Sequence, residues 1–441
     1  MKLFLIVLIL LVAIQSGYFK GLKEEFTWSR IRFASSPSGF HQNNAFGGNR
    51  GVSFQPPSSD PRQSYIFENN IPMGANRWEN KLFITIPRRR LGVPSTLNFI
   101  WTNTTDKHNI PLIPYPNAEV NQLPSPGGNG LLVSVYRTAI DTCNRLWMVD
   151  TGMLEYPGNN TRVHQSALVI IDLLTNQIIR RYEFKPTDTR PATNLASLVV
   201  DVEPHSCENA YAYIPDLGGF GLVVYSFAEN DSWRVNHNYF YLESLAGEFF
   251  IGGIRFQWND GVFSVALSDI FPNGHRTVYF HSMAGTHMYS VSTKVLRNQT
   301  LATRSYHGND FKIEADRGLG SQASASDLHK TSGLLFFGLV NQNGLGCWNT
   351  FRPARLDNFD VVYKSDDKFI YPCDVKISGD DLIVLTNTMP VFLYGRLNYN
   401  QINFRIWINN VYDTVKGTRC VVDPHEEYTG DIIYGESSWH Y

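Results

Sequence analysis

The feature that most constrains this chain is a short apolar strand that stops on an acid or an amide and recurs along the sequence. The segment NRLWMVDTG ends its apolar run on Asp150, and ENAYAYIPD ends on Asp216. Two later segments, GLLFFGLVN and DDLIVLTN, end on Asn341 and Asn387. Apolar runs of this length with Asp, Asn and Gly at the breaks are typical of antiparallel strands. The recurrence indicates one structural unit that is used several times.

The unit around Asp150 reads as strand, tight turn, strand, loop, strand, turn, strand. Six such units follow one another at intervals of roughly 60 residues, with second strands beginning near Lys81, Arg145, Ala210, Val262, Leu334 and Leu382. Six units of about four strands predict an all-β fold, a six-bladed β-propeller with a central channel, because radial repetition leaves only short, protected strand edges. A sandwich or two barrels also use short strands, but they do not predict the same turn-and-acid pattern six times.

The two ends of the chain and one internal segment fall outside the pattern. Residues 1–17 begin Met-Lys and continue with an apolar run too short to span a bilayer, which predicts a signal peptide and a secreted protein. We expect a single propeller over residues 18–425. Within it, residues 35–62 are rich in Gly, Ser, Asn and Pro and are predicted to form a mobile loop. The polar tail after Cys420, residues 426–441, is expected to close or decorate the last blade.

Secretion gives meaning to the sequons and the cysteines. Four Asn-x-Ser/Thr sequons are candidate glycosylation sites, at Asn103, Asn159, Asn230 and Asn298. Five cysteines are present, and outside the cell most of them should pair. Cys143 and Cys207 precede two successive copies of the repeat at the same place, so we expect them to form one disulfide. Cys347 and Cys420 are expected to form the second, with Cys373 unpaired.

Propeller geometry brings the polar strand ends together. The second strand of a blade returns to the face where the innermost strand begins, so both sets of residues should surround one mouth of the channel. The strand ends are Asp150, Asp216, Asn341 and Asn387, and the starts of the innermost strands lie near Arg137, Asn194, Gln322 and Asp374. We interpret this ring as a binding site. The alternative is that each Asp or Asn only caps its strand end by bonding to the neighbouring backbone.

Charge and motifs exclude several classes of function. The net charge is −2 and no long basic run is present, which argues against a nucleic-acid partner. His281, His287 and His307 lack zinc-binding spacing, and the glycine-rich segments GGNRG and DLGGFG are not phosphate loops. No Gly-x-Ser-x-Gly segment is present, which argues against a common serine hydrolase.

Six long segments carry a resemblance to a known family. They are NKLFITIPRRRLGVPSTL, YRTAIDTCNRLWMVDTG, NAYAYIPDLGGFGLVVYSF, QNGLGCWN, YPCDVKI and MPVFLYGRLNYNQINFRIW. In these segments the chain resembles the insect yellow and major royal jelly protein family. The resemblance implies a secreted six-bladed propeller, and the family usually has a small residue where Cys373 stands. Some yellow-like members convert dopachrome to dihydroxyindoles in melanin formation, others affect cuticle pigment, salivary relatives bind biogenic amines, and royal jelly relatives are nutritional.

The resemblance and the ring together predict an L-dopachrome isomerase that acts in melanin formation. Asp150, Asp216 and Asp374 are the candidate bases, and Arg137 is the candidate partner for the substrate carboxylate. Asn194, Gln322, Asn341 and Asn387 would complete substrate binding, and Tyr136 or Phe256 would stack on the ring. The expected partner is a small catechol- or indole-derived molecule, with no cofactor, no metal, no nucleic acid, no membrane span and a monomeric chain.

Two alternatives use the same residues. A ring of acids and amides beside aromatic side chains also suits an ammonium group, as in a non-catalytic carrier of aromatic or biogenic amines or a cuticle pigmentation factor. A calcium-dependent lactonase is a third possibility, because Asp150, Asp216, Asn341 and Asn387 supply the oxygen atoms that calcium prefers. None of these four residues lies in a recognisable calcium-binding loop.

Overall fold

Strand pairing turns the repeat into a closed ring. The computed structural model describes residues 22–34, 62, 64–125, 129–203 and 205–421. Within these ranges six antiparallel four-stranded sheets form, and the innermost strands of neighbouring sheets contact one another around the ring. The chain is therefore a six-bladed β-propeller, which confirms the predicted fold. The first strand, β1 (Glu24–Trp28), belongs to the last blade.

The first three blades follow the chain, each built from the channel outwards. Blade 1 contains β2 (Gly74–Trp78), β3 (Lys81–Thr85), β4 (Leu97–Trp101) and β5 (Ile113–Pro114). Blade 2 contains β6 (Val135–Ile140) and β7 (Arg145–Asp150), a small inserted hairpin of β8 (Met153–Leu154) and β9 (Thr161–Arg162), and then β10 (Ala167–Asp172) and β11 (Gln177–Glu183). Blade 3 contains β12 (Val199–Glu203), β13 (Ser206–Asp216), β14 (Gly221–Ser226) and β15 (Asp231–Val235).

A second inserted hairpin, β16 (Glu248–Ile251) with β17 (Ile254–Gln257), lies between blades 3 and 4 along the chain. Blade 4 contains β18 (Val262–Leu267), β19 (Thr277–Ser282), β20 (His287–Ser292) and β21 (Phe311–Asp316). Blade 5 contains β22 (Ala323–His329), β23 (Leu334–Leu339), β24 (Gly344–Asn349) and β25 (Phe359–Lys364). Blade 6 contains β26 (Pro372–Ser378), β27 (Asp381–Thr386), β28 (Phe404–Asn410) and β1.

In the part of the chain that the structure describes, the helices are short and lie in the connections. The α-helices are α1 (Thr293–Leu296), α2 (Gln299–Ala302), α3 (Met389–Tyr394) and α4 (Val411–Thr414). Single 3-10 turns occur at Phe67–Asn69, Asn238–Phe240, Ser244–Ala246, Val340–Gln342 and Leu356–Asn358. No helix in the described ranges is long and apolar enough to cross a membrane.

The structure corrects the strand assignment in blade 4. Val262 begins β18, the innermost strand, whereas the second strand is β19 and starts at Thr277. The error arose because VFSVAL is as uniformly apolar as the second strands of the other blades, and all six of its residues are buried. This shift by one strand changes which residues of blade 4 are expected near the start of its innermost strand.

The N-terminal strand β1 supplies the outermost strand of the last blade. Strand β1 pairs antiparallel with β28, with Glu24 opposite Trp407 and Trp28 opposite Phe404. Phe26 and Trp28 point inward and are fully buried, which anchors the closure. The predicted signal peptide, the tail 426–441 and nearly all of the predicted loop 35–62 lie outside the described residues.

Local side-chain chemistry fixes the tight turns of the repeat. In blade 2, Oδ1 of Asp141 accepts hydrogen bonds from the backbone N–H groups of Cys143 and Arg145. Its other oxygen accepts from Nε of Arg145 and Nε1 of Trp147, both at 2.7 Å. Asn144 adopts a left-handed conformation with φ of 57°, which Asn tolerates better than most residues. The turn therefore sets the register of β6 against β7.

Two disulfides join neighbouring parts of the ring. Cys143 in the blade 2 turn bonds to Cys207 in β13, and Cys347 in β24 bonds to Cys420 near the C-terminal end of the described chain. Cys373 is buried and unpaired. These findings confirm the predicted pairing. Bridges that close loops of this length typically stabilise a secreted domain by about 2–5 kcal/mol.

Candidate functional site

A cavity of about 310 Å³ lies at the mouth of the channel where the innermost strands begin. This volume is at the lower end of the usual range for small-molecule sites, about 300–1,000 Å³. Its polar lining consists of Arg89, Arg137, Asn194, Gln257, Asn259 and Asp260. Its apolar and aromatic lining consists of Met73, Tyr136, Tyr156, Pro157, Ala196, Leu217, Trp258, Phe263, Tyr371, Met389, Leu393 and Tyr394.

The floor and the roof of the cavity come from different elements. The floor is supplied by residues at or just before the innermost strands, among them Arg137 in β6, Phe263 in β18 and Tyr371 before β26. The roof is supplied by three insertions: the β8–β9 hairpin carries Tyr156, the segment after the β16–β17 hairpin carries Trp258, and α3 carries Tyr394. The propeller thus provides a rigid base, and the insertions shape the entrance.

Asp260 is the acid of this cavity. It lies in the connection between the β16–β17 hairpin and β18, where its backbone oxygen accepts a hydrogen bond from Ala284. Among the described residues its carboxylate forms neither a hydrogen bond nor an ion pair. Burial raises the pKa of Asp260 to about 6, and the positive charge of Arg89 opposes that rise. A carboxyl group tuned close to neutral pH is suited to accept and return a proton.

Two arginines bring positive charge to the cavity. The guanidinium of Arg89 lies 5.7 Å from the ring centroid of Tyr136 and interacts with the Tyr136 hydroxyl, while its Nε is buried without a hydrogen-bond partner. Arg137 is held more firmly: Nη2 donates to the carbonyl of Cys373 at 2.6 Å, and Nε lies 3.4 Å from Oδ1 of Asp374. Arg137 also lies over the ring of Phe263, 4.7 Å from its centroid. Arg89 is therefore the freer of the two cations.

Tyrosines and a tryptophan form the walls. Burial raises the pKa of Tyr136, Tyr156 and Tyr371, so their hydroxyl groups stay protonated at neutral pH. The Tyr371 hydroxyl is buried without a hydrogen-bond partner. Trp258 packs edge-on against Tyr371 at 5.8 Å, and its Nε1 donates to the Tyr394 hydroxyl at 2.7 Å. Flat walls and unused donors of this kind suit an aromatic ligand that carries oxygen atoms.

Comparison with known proteins identifies the family. The family model described as major royal jelly protein matches residues 133–420, which is more than half of the chain. The chain belongs to the yellow and major royal jelly protein family. L-dopachrome tautomerase yellow-f of Drosophila melanogaster is 40% identical over 364 residues, covering 81% of this chain and 83% of that protein. Protein yellow of Drosophila melanogaster is 35% identical over 419 residues, covering 94% of this chain and 73% of that protein.

In this yellow-family propeller, Asp150 acts as a structural cap at the end of β7. Its oxygens accept hydrogen bonds from the backbone N–H groups of Val133 and Ser134, both at 2.7 Å, and from that of Gly152. Nε2 of His164 lies 3.2 Å from Oδ2. Burial alone would raise the pKa of Asp150, but His164 and the backbone donors outweigh it, and the pKa is lowered. Asp150 is fully buried and does not line the cavity.

Asp216 has the same role in blade 3. Its carboxylate accepts hydrogen bonds from the backbone of Asn194 at 2.8 Å and from the hydroxyl of Thr193 at 2.7 Å. Nη1 of Arg234 donates to it at 2.8 Å, and the backbone N–H of Gly219 donates at 2.9 Å. The carboxylate of Asp216 therefore uses its hydrogen-bonding capacity within its own turn. It positions Asn194, and Asn194 lines the cavity.

The remaining predicted residues are also held in local contacts. Asn341 accepts from the backbone of Phe250, and its amide donates to Gln322, which in turn donates to the carbonyls of Ala246 and Glu248. These two amides hold the base of the β16–β17 hairpin rather than lining the cavity. Asn387 donates to the carbonyl of Pro72 and accepts from the backbone of Met389. It thereby fixes the start of α3.

Asp374 is fully buried below the cavity. Its Oδ2 accepts from the backbone of Ala75 at 3.0 Å, and its other oxygen faces Arg137. Burial raises the pKa of Asp374, with Lys376 and Arg137 opposing the rise. Asp374 therefore positions Arg137 rather than lining the cavity itself. Of the eight predicted ring residues, the structure places Arg137 and Asn194 in the cavity wall.

Asp260, Arg89, Tyr156 and Tyr371 were not predicted. Asp260 could have been predicted from the sequence. Arg137 and Asn194 were chosen because they lie near the starts of innermost strands, and the same criterion applies to Asp260. Placing Val262 at the start of an innermost strand would have selected Asp260, two residues earlier. Tyr156 is carried by an inserted hairpin, for which the repeat gives no guide. In the described part of the chain, no three His, Cys, Asp or Glu side chains come together in a group that could hold a metal ion.

Proposed function

We propose that this protein is a secreted L-dopachrome isomerase that converts dopachrome to a dihydroxyindole in melanin formation. The observation that carries the proposal is Asp260 inside a cavity walled by tyrosines: burial raises its pKa to about 6, and no described cation forms an ion pair with it. Identity of 40% to a protein named L-dopachrome tautomerase yellow-f supports it. The proposal moves the base from the predicted strand-end acids to Asp260.

The reaction requires proton transfer from carbon. Two hydrogens leave the carbons of the five-membered ring, and two protons reach the quinone oxygens, so the formula is unchanged while the ring becomes aromatic. Asp260 in its ionised form accepts a ring-carbon proton and then releases it. A positioned base of this kind contributes about 10²–10⁴-fold to a rate. If carbon dioxide leaves in place of one proton, the product is instead a dihydroxyindole without the carboxylate.

The other groups in the cavity have distinct roles in this scheme. Arg89 or Arg137 binds the substrate carboxylate, and Arg89 is the better placed because no described carboxylate pairs with it. The Tyr371 hydroxyl donates a hydrogen bond to a quinone oxygen, where negative charge builds up as the ring-carbon proton leaves. Trp258 and Tyr136 hold the ring plane. The chemistry therefore uses one base, one cation and one neutral donor.

Secretion belongs to the same proposal. Two disulfides are typical of oxidising compartments. All four sequon asparagines, Asn103, Asn159, Asn230 and Asn298, are exposed, as glycosylation requires. Endoglycosidase treatment of protein secreted from insect cells should lower its apparent mass if any of them is modified.

A direct assay tests the enzymatic proposal. Purified protein is added to fresh dopachrome, and loss of the orange colour is followed against a boiled control. We expect accelerated loss, with chromatography showing a dihydroxyindole product. The same chromatogram shows whether the product keeps its carboxylate. An unchanged rate at micromolar protein would exclude the isomerase.

The main alternative is a non-catalytic carrier of aromatic amines or a cuticle pigmentation factor. One observation favours the carrier, because a partnerless carboxylate beside aromatic walls also suits an ammonium group. Calorimetry with dopamine or serotonin tests it. Tight amine binding combined with no dopachrome conversion would establish the carrier and reject the enzyme.

A further inference from the structure

The cavity contains one cation and one anion that, among the described residues, form no ion pair with each other or with any other charged group. Arg89 and Asp260 both line it, and the charge of Arg89 is felt at the Asp260 carboxyl group. In the described chain, however, no carboxylate forms an ion pair with Arg89, and no cation forms one with Asp260. Charges that are partly removed from water without a partner cost free energy. Their retention in one cavity points to a ligand that supplies both opposite charges.

The side chains of the two arginines adjacent to Arg89 in the sequence are held by hydrogen bonds to backbone carbonyls, unlike the Nε of Arg89. Three arginines follow one another at positions 88–90. Arg88 is fully buried and donates to five backbone carbonyls, including those of Val133 at 2.6 Å and Asn121 at 2.5 Å. Arg90 donates to the carbonyl of Phe392 at 2.7 Å and stacks on its ring. Arg89 alone of the three points into the cavity, where its Nε is buried and unpartnered.

We propose that Arg89 and Asp260 form a two-point site for free aromatic α-amino acids, with Arg89 binding the carboxylate and Asp260 binding the ammonium group. The inference rests on the proposed function for the location of the site, but it does not require that the protein converts dopachrome. The ammonium group of such an amino acid pairs with the Asp260 carboxylate, which is the proposed base, so the amino acid binds without reacting. An open-chain aromatic amino acid would therefore inhibit conversion of its cyclised, oxidised derivative at the same cavity.

The shape of the cavity selects the rest of the ligand. Its volume of about 310 Å³ suits one ring with a short side chain. Trp258, Tyr136 and Tyr371 provide flat walls for that ring. A residue inside a peptide has neither a free ammonium nor a free carboxylate, and an amine lacks the carboxylate that Arg89 requires. The two charges together therefore specify a free amino acid.

Three redox-stable probes separate the contributions of the two charges. L-tyrosine carries both charged groups, tyramine lacks the carboxylate, and 3-(4-hydroxyphenyl)propanoate lacks the ammonium group. Isothermal titration calorimetry at pH 7.5 should show that L-tyrosine binds at least about tenfold more tightly than either analogue, the scale of losing one charge-assisted hydrogen bond.

Two variants should produce a crossed pattern. Arg89→Gln should weaken L-tyrosine and the propanoate by at least about tenfold and should not weaken tyramine, which loses only a like charge. Asp260→Asn should weaken L-tyrosine and tyramine by a similar factor and should not weaken the propanoate. Matched controls are Arg255→Gln on the exposed side of the β16–β17 hairpin and Asp269→Asn, whose side chain is 65% exposed. Both controls should bind all three probes as the wild type does.

The outcomes separate this inference from the enzymatic proposal. Equal affinity for L-tyrosine and tyramine, or no binding of any probe, would overturn the two-point site even if dopachrome is converted. Binding of L-tyrosine with the crossed pattern would uphold it even if dopachrome is not converted. Circular dichroism of each variant shows whether it is folded, and Arg89→Lys, which keeps the charge, should retain part of the L-tyrosine affinity.

Discussion

Asp150 and Asp260 are acids at the same mouth of the channel, yet their carboxylates have opposite surroundings. Asp150 is enclosed by backbone N–H groups and His164, which lower its pKa. Asp260 lines the cavity, no described residue donates a hydrogen bond to its carboxylate, and burial raises its pKa to about 6. The first is a carboxylate whose hydrogen-bonding capacity the fold has used. The second has that capacity available for a ligand, which is the property a functional group needs.

The largest expected effect is on catalysis at Asp260. Asp260→Asn keeps the shape of the side chain but removes the base, so dopachrome conversion should fall by about 10²–10⁴-fold in kcat/KM. Initial rates of colour loss over a range of substrate concentrations measure this. Asp269→Asn, in the same blade and exposed, should retain full activity. Retention of more than a tenth of the wild-type rate by Asp260→Asn would place the base elsewhere.

The next effect is on folding at Asp150. Asp150→Asn puts an amide donor against the N–H groups of Val133 and Ser134 and removes the charge that faces His164. We expect a loss of about 2–4 kcal/mol in the free energy of unfolding, measured by urea denaturation at pH 7. Because the folded pKa of Asp150 is lowered, its contribution is present above about pH 3.9 and is lost as the pH falls through the folded pKa.

Activity should remain in the folded fraction of Asp150→Asn, which is what separates the two acids. The β8–β9 hairpin that carries Tyr156 is tethered through Gly152 and His164, so a moderate rise in KM is expected. A loss of kcat as large as that of Asp260→Asn, in protein shown to be folded, would contradict the structural role.

A smaller effect concerns pH. The ionised form of Asp260 is the base, so its rate contribution should rise about tenfold between pH 5 and pH 7, with an apparent pKa near 6. The groups that interact electrostatically with Asp260 are Arg89 and the hydroxyls of Tyr136, Tyr156 and Tyr371. The raised pKa values of these tyrosines keep them protonated over this range. Arg89→Gln should move the apparent pKa upwards, since the charge that opposes the rise is removed.

The control for the pH profile is the uncatalysed loss of dopachrome, measured in each buffer and subtracted. A flat profile between pH 5 and pH 7, or a downward shift in Arg89→Gln, would show that another group titrates in the reaction.

The contrast between Asp150 and Asp260 also shows which parts of the fold and of the site could be predicted from the sequence. The fold was predictable because strand length, apolar runs and turn residues recur in every blade, and each copy reinforces the others. Within the site, Arg137 and Asn194 were predictable from their place near the starts of innermost strands. The sequence predicted that the strand-end acids surround the channel mouth, but it could not show whether they are free to bind a ligand. That depends on whether nearby loops, such as the one with Val133 and Ser134, donate hydrogen bonds to their carboxylates.

The rest of the cavity depends on irregular segments. Trp258 and Tyr156 follow or lie in hairpins inserted between regular strands, and Tyr394 ends a short helix in blade 6. No repeat or periodicity indicates how such segments fold back over the channel. Arg89 shows the limit most clearly, because its neighbours Arg88 and Arg90 are the same residue type in the same loop and point elsewhere.

The smallest expected effect is on stability at Asp260. Because its pKa is raised above the value of about 3.9 in an unfolded chain, protonated Asp260 contributes stability below that pH, and this contribution is lost as the pH rises through the folded pKa of about 6. Asp260→Asn removes the carboxylate charge, so the free energy of unfolding at pH 7 should stay the same or increase. Urea denaturation at pH 7 and pH 5 measures this. The wild type should gain more stability than the variant on going to pH 5, because only the wild type has a proton to bind at this position. A loss of more than about 1 kcal/mol in the variant would mean that Asp260 holds the fold together as Asp150 does, and the contrast between the two acids would then disappear.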